Sequence, residues 1–194
     1  SEFPKIIKKH KMILQSLDIK KGDWTLFIDR DGVINRRLVD DYVKNLDEFE
    51  FLPGVLHAMS IFAKNFKHIF VVTNQQGVGK GLMTEEKVHQ IHSSMVSQIV
   101  QKNGRIDAVY FCPDLANSGS LNRKPEIGMA LQAQQEFPSV EFSKSIMIGD
   151  SISDMKFGKT AGMITVFITS TPNFESTFVD YTAVSLEEFA SEIS

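Results

Sequence analysis

The fold is decided by a stretch that reads Phe27-Ile28-Asp29-Arg30-Asp31-Gly32-Val33-Ile34-Asn35. An apolar run, Trp24–Ile28, ends here in two carboxylates that are separated by one residue and followed by glycine. Residues two apart in a strand point to the same side, so Asp29 and Asp31 are expected near one spot. Neighbouring carboxylates repel each other unless a cation or a shared proton compensates. The residue types therefore indicate a hard cation such as Mg²⁺, with one carboxylate free to attack an electrophile.

A polar turn after a buried strand is the alternative interpretation of these residues, because aspartate and glycine are common in turns. The rest of the chain helps to decide between the two. Apolar runs recur along it, continuous rather than alternating, at Trp24–Ile28, His68–Thr73, Ala108–Cys112, Ser145–Ile148 and Ile164–Ile168. Continuous runs of this length are typical of strands that are buried on both faces of a parallel sheet.

The segments between these runs show the apolar spacing of helices. One helix face is predicted from Val55, Met59, Phe62 and Phe66, and another from Val88, Ile91, Met95 and Ile99, with a cap at Thr84. Further helices are predicted over Ile127–Phe137, Ile152–Ala161 and Leu186–Ile193, the second of them ending at Gly162. This alternation predicts an α/β fold with a doubly wound parallel sheet and helices on both faces.

The length of 194 residues suits one well-buried domain. We predict a single domain over residues 24–194, preceded by an N-terminal helical extension over residues 1–23. Within that extension, Lys5–Lys11 has the spacing of an amphipathic helix with a basic face.

Composition excludes several classes of partner. The net charge is −3 and no long basic block is present, so nucleic-acid binding is not expected. No apolar run is long enough to span a membrane, and Cys112 is the single cysteine, which fits a reducing compartment. We therefore expect a cytoplasmic monomer without membrane partners.

Three of the predicted strands end in polar side chains. The first ends in Asp29 and Asp31, the second in Thr73-Asn74-Gln75-Gln76-Gly77, and the fourth in Gly149-Asp150-Ser151, with Asp154 one helical turn later. Ligands of doubly wound sheets bind beyond the carboxyl ends of the strands. This common edge favours a functional site over an isolated polar turn.

Together with Lys124, these residues resemble the four motifs of the haloacid dehalogenase superfamily, in that family's order. The motifs are Asp29-x-Asp31-Gly32, Thr73, Lys124 and Gly149-Asp150-Ser151-x-x-Asp154. Longer strings are similar to the branch that contains heptose-bisphosphate and histidinol-phosphate phosphatases, at Phe27–Asn35, Phe49–Val55, Thr73–Gly81 and Asn122–Met129.

The resemblance implies a Mg²⁺-dependent phosphomonoesterase that works through an aspartyl-phosphate. Asp29 would be the nucleophile, and Asp31 would act first as general acid and then as general base. The implied Mg²⁺ ligands are Asp29, Asp150 and the main-chain carbonyl of Asp31. Thr73 and Lys124 would bind the phosphoryl oxygens that are not transferred.

Asp154 would hold the metal ligands or Lys124 in position without binding the substrate itself. The intervals between the motifs are too short for a cap domain, so the site would be covered only by the loops Asn35–Phe51, Thr73–Leu82 and Cys112–Arg123.

The expected substrate is a small phosphorylated metabolite, with a sugar bisphosphate such as D-glycero-D-manno-heptose 1,7-bisphosphate preferred. Candidate substrate contacts are Asn74, Gln75, Lys80 and Arg123. Arg123 is the most attractive, because a guanidinium can bind a second phosphate or a carboxylate.

Three alternatives stay open. A histidinol-phosphate phosphatase would need an acidic pocket, which Asp40, Asp41 and Asp114 could form. An uncapped site could also admit nucleic-acid ends or a protein. A catalytically silent scaffold is the last alternative, although both Asp29 and Asp31 are present.

The chain departs from the resembling branch in the loop before Arg123. That branch usually carries a zinc loop of Cys and His residues, but here only Cys112 occupies a ligand position and no other Cys or His follows in the loop. One thiol cannot form a tetrahedral structural zinc site. We predict that the protein binds no zinc and that hydrogen bonds hold this loop.

Overall fold

The computed structural model describes residues 15–19 and 22–194. The helix predicted at Lys5–Lys11 lies outside these residues. The described residues form one sheet of six parallel strands, which are β1 (Thr25–Ile28), β2 (His68–Asn74), β3 (Ala108–Cys112), β4 (Ser145–Gly149), β5 (Ile164–Ile168) and β6 (Tyr181–Ala183). The strand order is β3-β2-β1-β4-β5-β6.

Five α-helices lie wholly within the described residues. They are α1 (Val55–Asn65), α2 (Glu85–Gln101), α3 (Gly128–Glu136), α4 (Ile152–Ala161) and α5 (Leu186–Ile193). None of these helices combines the length and the apolar character that crossing a membrane requires.

Helices cover both faces of the sheet because successive strand residues point to opposite sides. Leu26 and Ile28 of β1 pack in one core with α1, α2 and α5, whereas Phe27 packs in the other core with α3 and α4. The doubly wound fold predicted from the sequence is therefore confirmed. No further domain is inserted among the described residues between β1 and β4, which confirms that the fold has no cap domain.

The five predicted strands, and the five predicted helices that fall within the described residues, are all present, with ends within about two residues of those expected. Thr84 caps α2 by accepting a hydrogen bond from the backbone N–H of Lys87, and Gly162 ends α4 with a φ of +89°. The sequence analysis missed β6, which is only three residues long and has an exposed central residue.

The register of the central strands brings their carboxyl ends to one level. Ile28, the last residue of β1, is paired with Val71 of β2 and with Ile148 of β4. The backbone N–H of Asp29 then donates to the carbonyl of Ile148 at 2.9 Å. Residues that follow β1, β2 and β4 therefore lie close together at the carboxyl edge of the sheet.

Replacing Phe62 with alanine should lower the free energy of unfolding by about 3–5 kcal/mol, because the substitution leaves a cavity in a packed core. The Phe62 ring is fully buried, with the rings of Phe66 and Phe189 each centred 5.8 Å away. Urea denaturation followed by circular dichroism measures the change. His57→Ala, at an exposed position of the same helix, is the matched control and should stay within about 0.5 kcal/mol. A Phe62→Ala loss below about 1 kcal/mol would contradict the assigned core.

Candidate active site

Two glycines allow the strand ends to approach each other closely. Gly32 has a φ of +84°, and a Cβ atom at this position would overlap the carboxylate of Asp150. A Cβ atom on Gly149 would likewise overlap the carboxylate of Asp154. Only glycine, which has no Cβ, leaves space for the carboxylate of Asp150 beside the turn after β1 and for that of Asp154 beside the end of β4.

Lys124 is the centre of the buried part of the site. Its side chain is 2% exposed, and its Nζ donates to Asp29 Oδ1 at 2.8 Å, to Asp154 Oδ1 at 2.6 Å and to the carbonyl of Val72 at 2.8 Å. Asn74 holds the Lys124 main chain, since its amide oxygen accepts from the Lys124 N–H at 3.0 Å and its amide nitrogen donates to the Lys124 carbonyl at 3.1 Å. Residues predicted from separate motifs thus meet around one ammonium group.

Asp154 is fixed by the start of α4. Ser151 and Asp154 form a capping box, in which the Asp154 N–H donates to Ser151 Oγ and the Ser151 N–H donates to Asp154 Oδ2, both at 3.2 Å. Both Asp154 oxygens therefore have donors, one from Lys124 and one from Ser151. These contacts are those of a residue that positions Lys124.

Three carboxylates share the site with this one ammonium. Oxygens of Asp29, Asp150 and Asp154 lie within 4.8 Å of one another. Burial and the charge of Asp154 outweigh Lys124 and raise the pKa of Asp29 to about 8, while burial raises the pKa of Asp150 to about 6 despite the nearby guanidinium of Arg37. The pKa of Lys124 is raised to about 12, because Asp154 and Asp29 outweigh the effect of its burial. A further cation beside Asp29 and Asp150 would relieve this repulsion.

The arrangement fits a divalent metal ion. Arg37, a residue that the sequence analysis missed, already places a positive group there, with one guanidinium nitrogen donating to Asp150 Oδ1 at 2.7 Å and to the Asp31 carbonyl at 3.2 Å. Those two oxygens and the Asp29 carboxylate are the hard oxygen ligands that Mg²⁺ prefers. The only signal for Arg37 in the sequence was its place in the loop expected to cover the site.

Asp31 is held by three side chains, one of which is the buried cation Arg30. Its Oδ1 accepts from Arg30 at 2.9 Å and from Asn35 at 3.0 Å, and its Oδ2 accepts from Gln75 at 2.8 Å. Burial alone would raise the pKa of Asp31, but Arg30 and the hydrogen bonds hold it below the usual value. The carboxyl group is therefore held in its ionised form in a fixed orientation.

Arg30 is fully buried behind Asp31. Its second terminal nitrogen lies 3.0 Å from Nε2 of His92 on α2. Burial and the charge of Arg30 lower the pKa of His92 to about 3, so the imidazole is neutral and accepts this hydrogen bond. Sequence reasoning missed both residues, although the position of Arg30 between two aspartates that share one side indicates that its side chain points away from them.

Thr73 and Gln75 lie behind the site instead of facing the cavity above it. Each is 1% exposed, and the Gln75 amide nitrogen donates to Thr73 Oγ1 at 2.9 Å as well as to Asp31. Neither side chain lines the cavity. The expected contacts of Thr73 with phosphate and of Gln75 with substrate stay predictions, whereas the observed contacts support Asp31.

A cavity of about 750 Å³ covers this edge of the sheet, a size that is typical of small-molecule sites. The predicted loops contribute Arg37–Val43, Asn74, Gln76, Lys80, Leu82 and Arg123 to its walls, and the start of α4 contributes Ser151 and Ser153. Asp29, Asp31, Lys124 and Asp154 lie below them. Tyr42 connects two of these loops, because its hydroxyl accepts from Gln76 at 2.8 Å and the Lys80 ammonium lies 5.4 Å from its ring.

The loop that follows β3 is held by internal hydrogen bonds. Cys112 is buried, with Asp114 Oδ2 at 3.5 Å and Ser120 Oγ at 3.8 Å from its sulfur. The Asn122 N–H donates to Ser120 Oγ at 3.2 Å, and Arg123 donates to the Asp114 carbonyl at 3.3 Å. Among the residues that the structure describes, the cluster of Asp29, Asp150 and Asp154 is the one group of three possible metal ligands.

Comparison with known proteins agrees with this geometry. A sequence profile of the HAD-hydrolase-like family matches residues 121–173. The D-glycero-alpha-D-manno-heptose-1,7-bisphosphate 7-phosphatase of Mycobacterium bovis is 43% identical over 133 residues, which are 69% of this chain and 70% of that protein. The protein of the same name from Campylobacter jejuni is 35% identical over 153 residues, or 79% of this chain and 86% of that protein.

A solved structure is also similar over most of its length. The D,D-heptose 1,7-bisphosphate phosphatase from B. bronchiseptica, complexed with magnesium and phosphate, matches with a TM-score of 0.79 and 26% identity, covering 88% of this chain and 97% of that one. These similarities confirm the resemblance that the four motifs indicated. The chain therefore belongs to the heptose-1,7-bisphosphate 7-phosphatase family of the haloacid dehalogenase superfamily, and it is a phosphatase.

Proposed function

We propose that the protein removes one phosphate from a sugar bisphosphate, with D-glycero-D-manno-heptose 1,7-bisphosphate as the substrate. The observation that carries the proposal is one cavity with a buried Asp29–Lys124 pair in its floor and further cations in its walls. Among the described residues, the wall cations Lys80 and Arg123 form no ion pair with a carboxylate, so both have charge available for a ligand. The names of the relatives support the choice of sugar.

The reaction starts at Asp29 in this proposal. A carboxylate oxygen of Asp29 attacks phosphorus, the bond from phosphorus to the sugar oxygen breaks, and Asp31 gives its proton to the leaving alkoxide. Lys124 orients Asp29 and binds phosphoryl oxygen with its positive charge, and Thr73 is proposed to donate a further hydrogen bond. Asp29, Asp150 and the Asp31 carbonyl would hold a Mg²⁺ ion, which would supply the positive charge that allows a carboxylate to approach a phosphate dianion.

Hydrolysis of the aspartyl-phosphate needs a base. Asp31 takes a proton from water as the water oxygen attacks phosphorus, which frees Asp29 and releases inorganic phosphate. The contacts of Asp31 with Arg30 and Gln75 favour the ionised carboxyl group that this second step requires. In the first step the negative charge of an incoming phosphate favours the protonated form instead.

Selection of the substrate is assigned to the cavity wall. Arg123 and Lys80 are proposed to bind the phosphate that is not transferred, since both line the cavity beside Lys124. Asn74 also lines it, but both ends of its amide already hold the Lys124 main chain. We therefore propose that the main role of Asn74 is to hold Lys124, and with it the neighbouring Arg123, in position. A contact of Asn74 with the substrate would be a minor role.

Histidinol phosphate is the second candidate substrate. Asp40 and Asp41 line the cavity, as a pocket for a cationic group would require. Asp41, however, is paired with Lys44 at 2.8 Å, which neutralises part of this charge. The site itself therefore favours a second phosphate over a second amine. We also propose a cytoplasmic location, in line with the single unpaired cysteine. A monomeric state is proposed as well.

Phosphate release from a panel of phosphorylated metabolites, with Mg²⁺ and with a chelator, tests the proposed function. The panel contains both anomers of heptose 1,7-bisphosphate, histidinol phosphate, hexose phosphates and 5′-phosphorylated oligonucleotides. We expect Mg²⁺-dependent release with the heptose bisphosphate preferred. The Asp29→Asn variant should lose at least about a thousandfold in kcat while its circular dichroism stays unchanged, because the substitution removes the nucleophile.

Asp47→Asn is the matched control, because Asp47 is exposed and does not line the cavity. This variant should turn over like the unmodified protein. If histidinol phosphate is preferred, the proposed substrate is wrong but the proposed reaction mechanism stands. Near-normal activity of Asp29→Asn would overturn the mechanism.

Arg123→Gln should raise KM or lower kcat for heptose bisphosphate, with a loss in kcat/KM of about ten- to a hundredfold, the range for a hydrogen bond to a charged group. The kcat/KM for p-nitrophenyl phosphate, which has no second phosphate, should fall much less. Steady-state kinetics of both substrates with both proteins make the comparison. Equal losses on the two substrates would remove Arg123 from the recognition of the second phosphate.

Elemental analysis of protein purified without chelator tests the proposed absence of zinc. We expect zinc far below one equivalent per chain, because no second Cys and no His accompanies Cys112 in its loop and the loop is held by hydrogen bonds. Ser120→Ala should loosen the loop and increase its cleavage by protease, since Ser120 Oγ accepts the Asn122 N–H. Stoichiometric zinc that survives dialysis would contradict the proposal.

A further inference from the structure

Arg37 contacts the same oxygens that the proposed function assigns to Mg²⁺. One of its guanidinium nitrogens donates both to Asp150 Oδ1 at 2.7 Å and to the Asp31 carbonyl at 3.2 Å. These two atoms come from different motifs and are the second and third of the three proposed metal ligands. Arg37 thus bridges the turn after β1 and the end of β4 in the way a bound cation would.

A guanidinium and a divalent cation would compete for these two oxygens. Mg²⁺ requires its oxygen ligands at about 2.0–2.1 Å and in a near-octahedral arrangement. Two positive groups that share the same two oxygens would lie only a few ångströms apart and repel each other. Binding of the cation therefore requires Arg37 to move away.

The position of Arg37 permits this movement. Its side chain is 53% exposed, in contrast to the 2% of Lys124, and it belongs to the loop whose residues Arg37–Val43 line the cavity. No core side chain has to move when an exposed guanidinium turns from its partners. Once it is released, the guanidinium is still beside the cavity in which a phosphorylated substrate would bind.

We infer that Arg37 and the divalent cation bind the oxygens of Asp150 and Asp31 in alternation, and that the bound cation frees Arg37 for a phosphate of the substrate. The inference rests on the proposed function for the identity of the metal ligands. Arg37 is on this view a positioning residue that sets the affinity for the cation and links its binding to that of the phosphate.

Calorimetric titration of the substrate-free protein with MgCl₂ tests the first half of the inference. Arg37→Met removes the competing donor and should tighten Mg²⁺ binding by roughly two- to fivefold, the range for the loss of one exposed ion pair. Arg36→Met is the matched control, since Arg36 is an exposed neighbour of equal charge whose partner is Glu50 at 3.0 Å. This control should bind Mg²⁺ like the unmodified protein.

Titration with inorganic phosphate at saturating Mg²⁺ tests the second half. Arg37→Met should weaken phosphate binding several-fold, and Arg36→Met should leave it unchanged. Equal Mg²⁺ affinity in Arg37→Met and the unmodified protein would overturn the alternation, and so would equal tightening in both variants, since this would reflect net charge alone. Unchanged phosphate affinity would overturn the link to the substrate.

Mg²⁺ titration and phosphate release together distinguish a wrong role for Arg37 from a wrong metal site. If the unmodified protein binds Mg²⁺ and releases phosphate but Arg37→Met binds the ion no more tightly, only the role of Arg37 is lost. If no variant binds Mg²⁺, the proposed metal site is wrong and the alternation falls with it.

Discussion

The site depends on one buried ammonium group shared between two carboxylates. Lys124 donates to Asp29 and to Asp154, and all three side chains are almost fully buried. Removing such charges from water is costly and is compensated only by short, well-oriented contacts. Without Lys124, the carboxylates of Asp29 and Asp154 would be buried with no positive charge beside them. The segments that carry these three residues are therefore held together by the ion pairs. The ion pairs thus fix the relative positions of the strand ends as well as Asp29, the proposed nucleophile.

The sheet makes this arrangement possible because parallel strands end at a common edge. Pairing of β1 with both β2 and β4 brings Asp29 level with the residues that follow its neighbours. Gly32 and Gly149 then remove the side-chain bulk that would hold the carboxylates of Asp150 and Asp154 away. The main chain at Gly32 and Gly149 thus determines how closely the carboxylates approach each other, and the carboxylates determine which cations the site can bind. The same few positions therefore set both the local fold and the chemistry of the site.

Sequence patterns predicted the layers of the fold well and the contacts of the site less completely. Long apolar runs identify β2 and β5 because such strands are buried on both faces, whereas β6 has too few residues to show a pattern. Lys124 is one of 21 lysines and arginines, and only its place in the order of the motifs indicated its role. The contact of Arg30 with His92 joins residues 62 positions apart, so no local spacing predicts it. Thr73 was correctly placed at the end of β2 and Gln75 just after it, but their burial depends on how the turn packs behind Asp31.

The cations of the site fall into two groups that differ in exposure, and this difference separates their roles. Lys124 and Arg30 are buried, and each is held by at least two partners, so their charges serve to orient Asp29 and Asp31. Arg37, Lys80 and Arg123 lie at the more exposed cavity wall, where water screens their charges and their side chains can exchange partners. A buried cation cannot leave its carboxylate without a large penalty, but an exposed one can. A phosphorylated ligand would therefore exchange partners only with the cations of the wall, while Asp29 and Asp31 stay in place on the sheet edge.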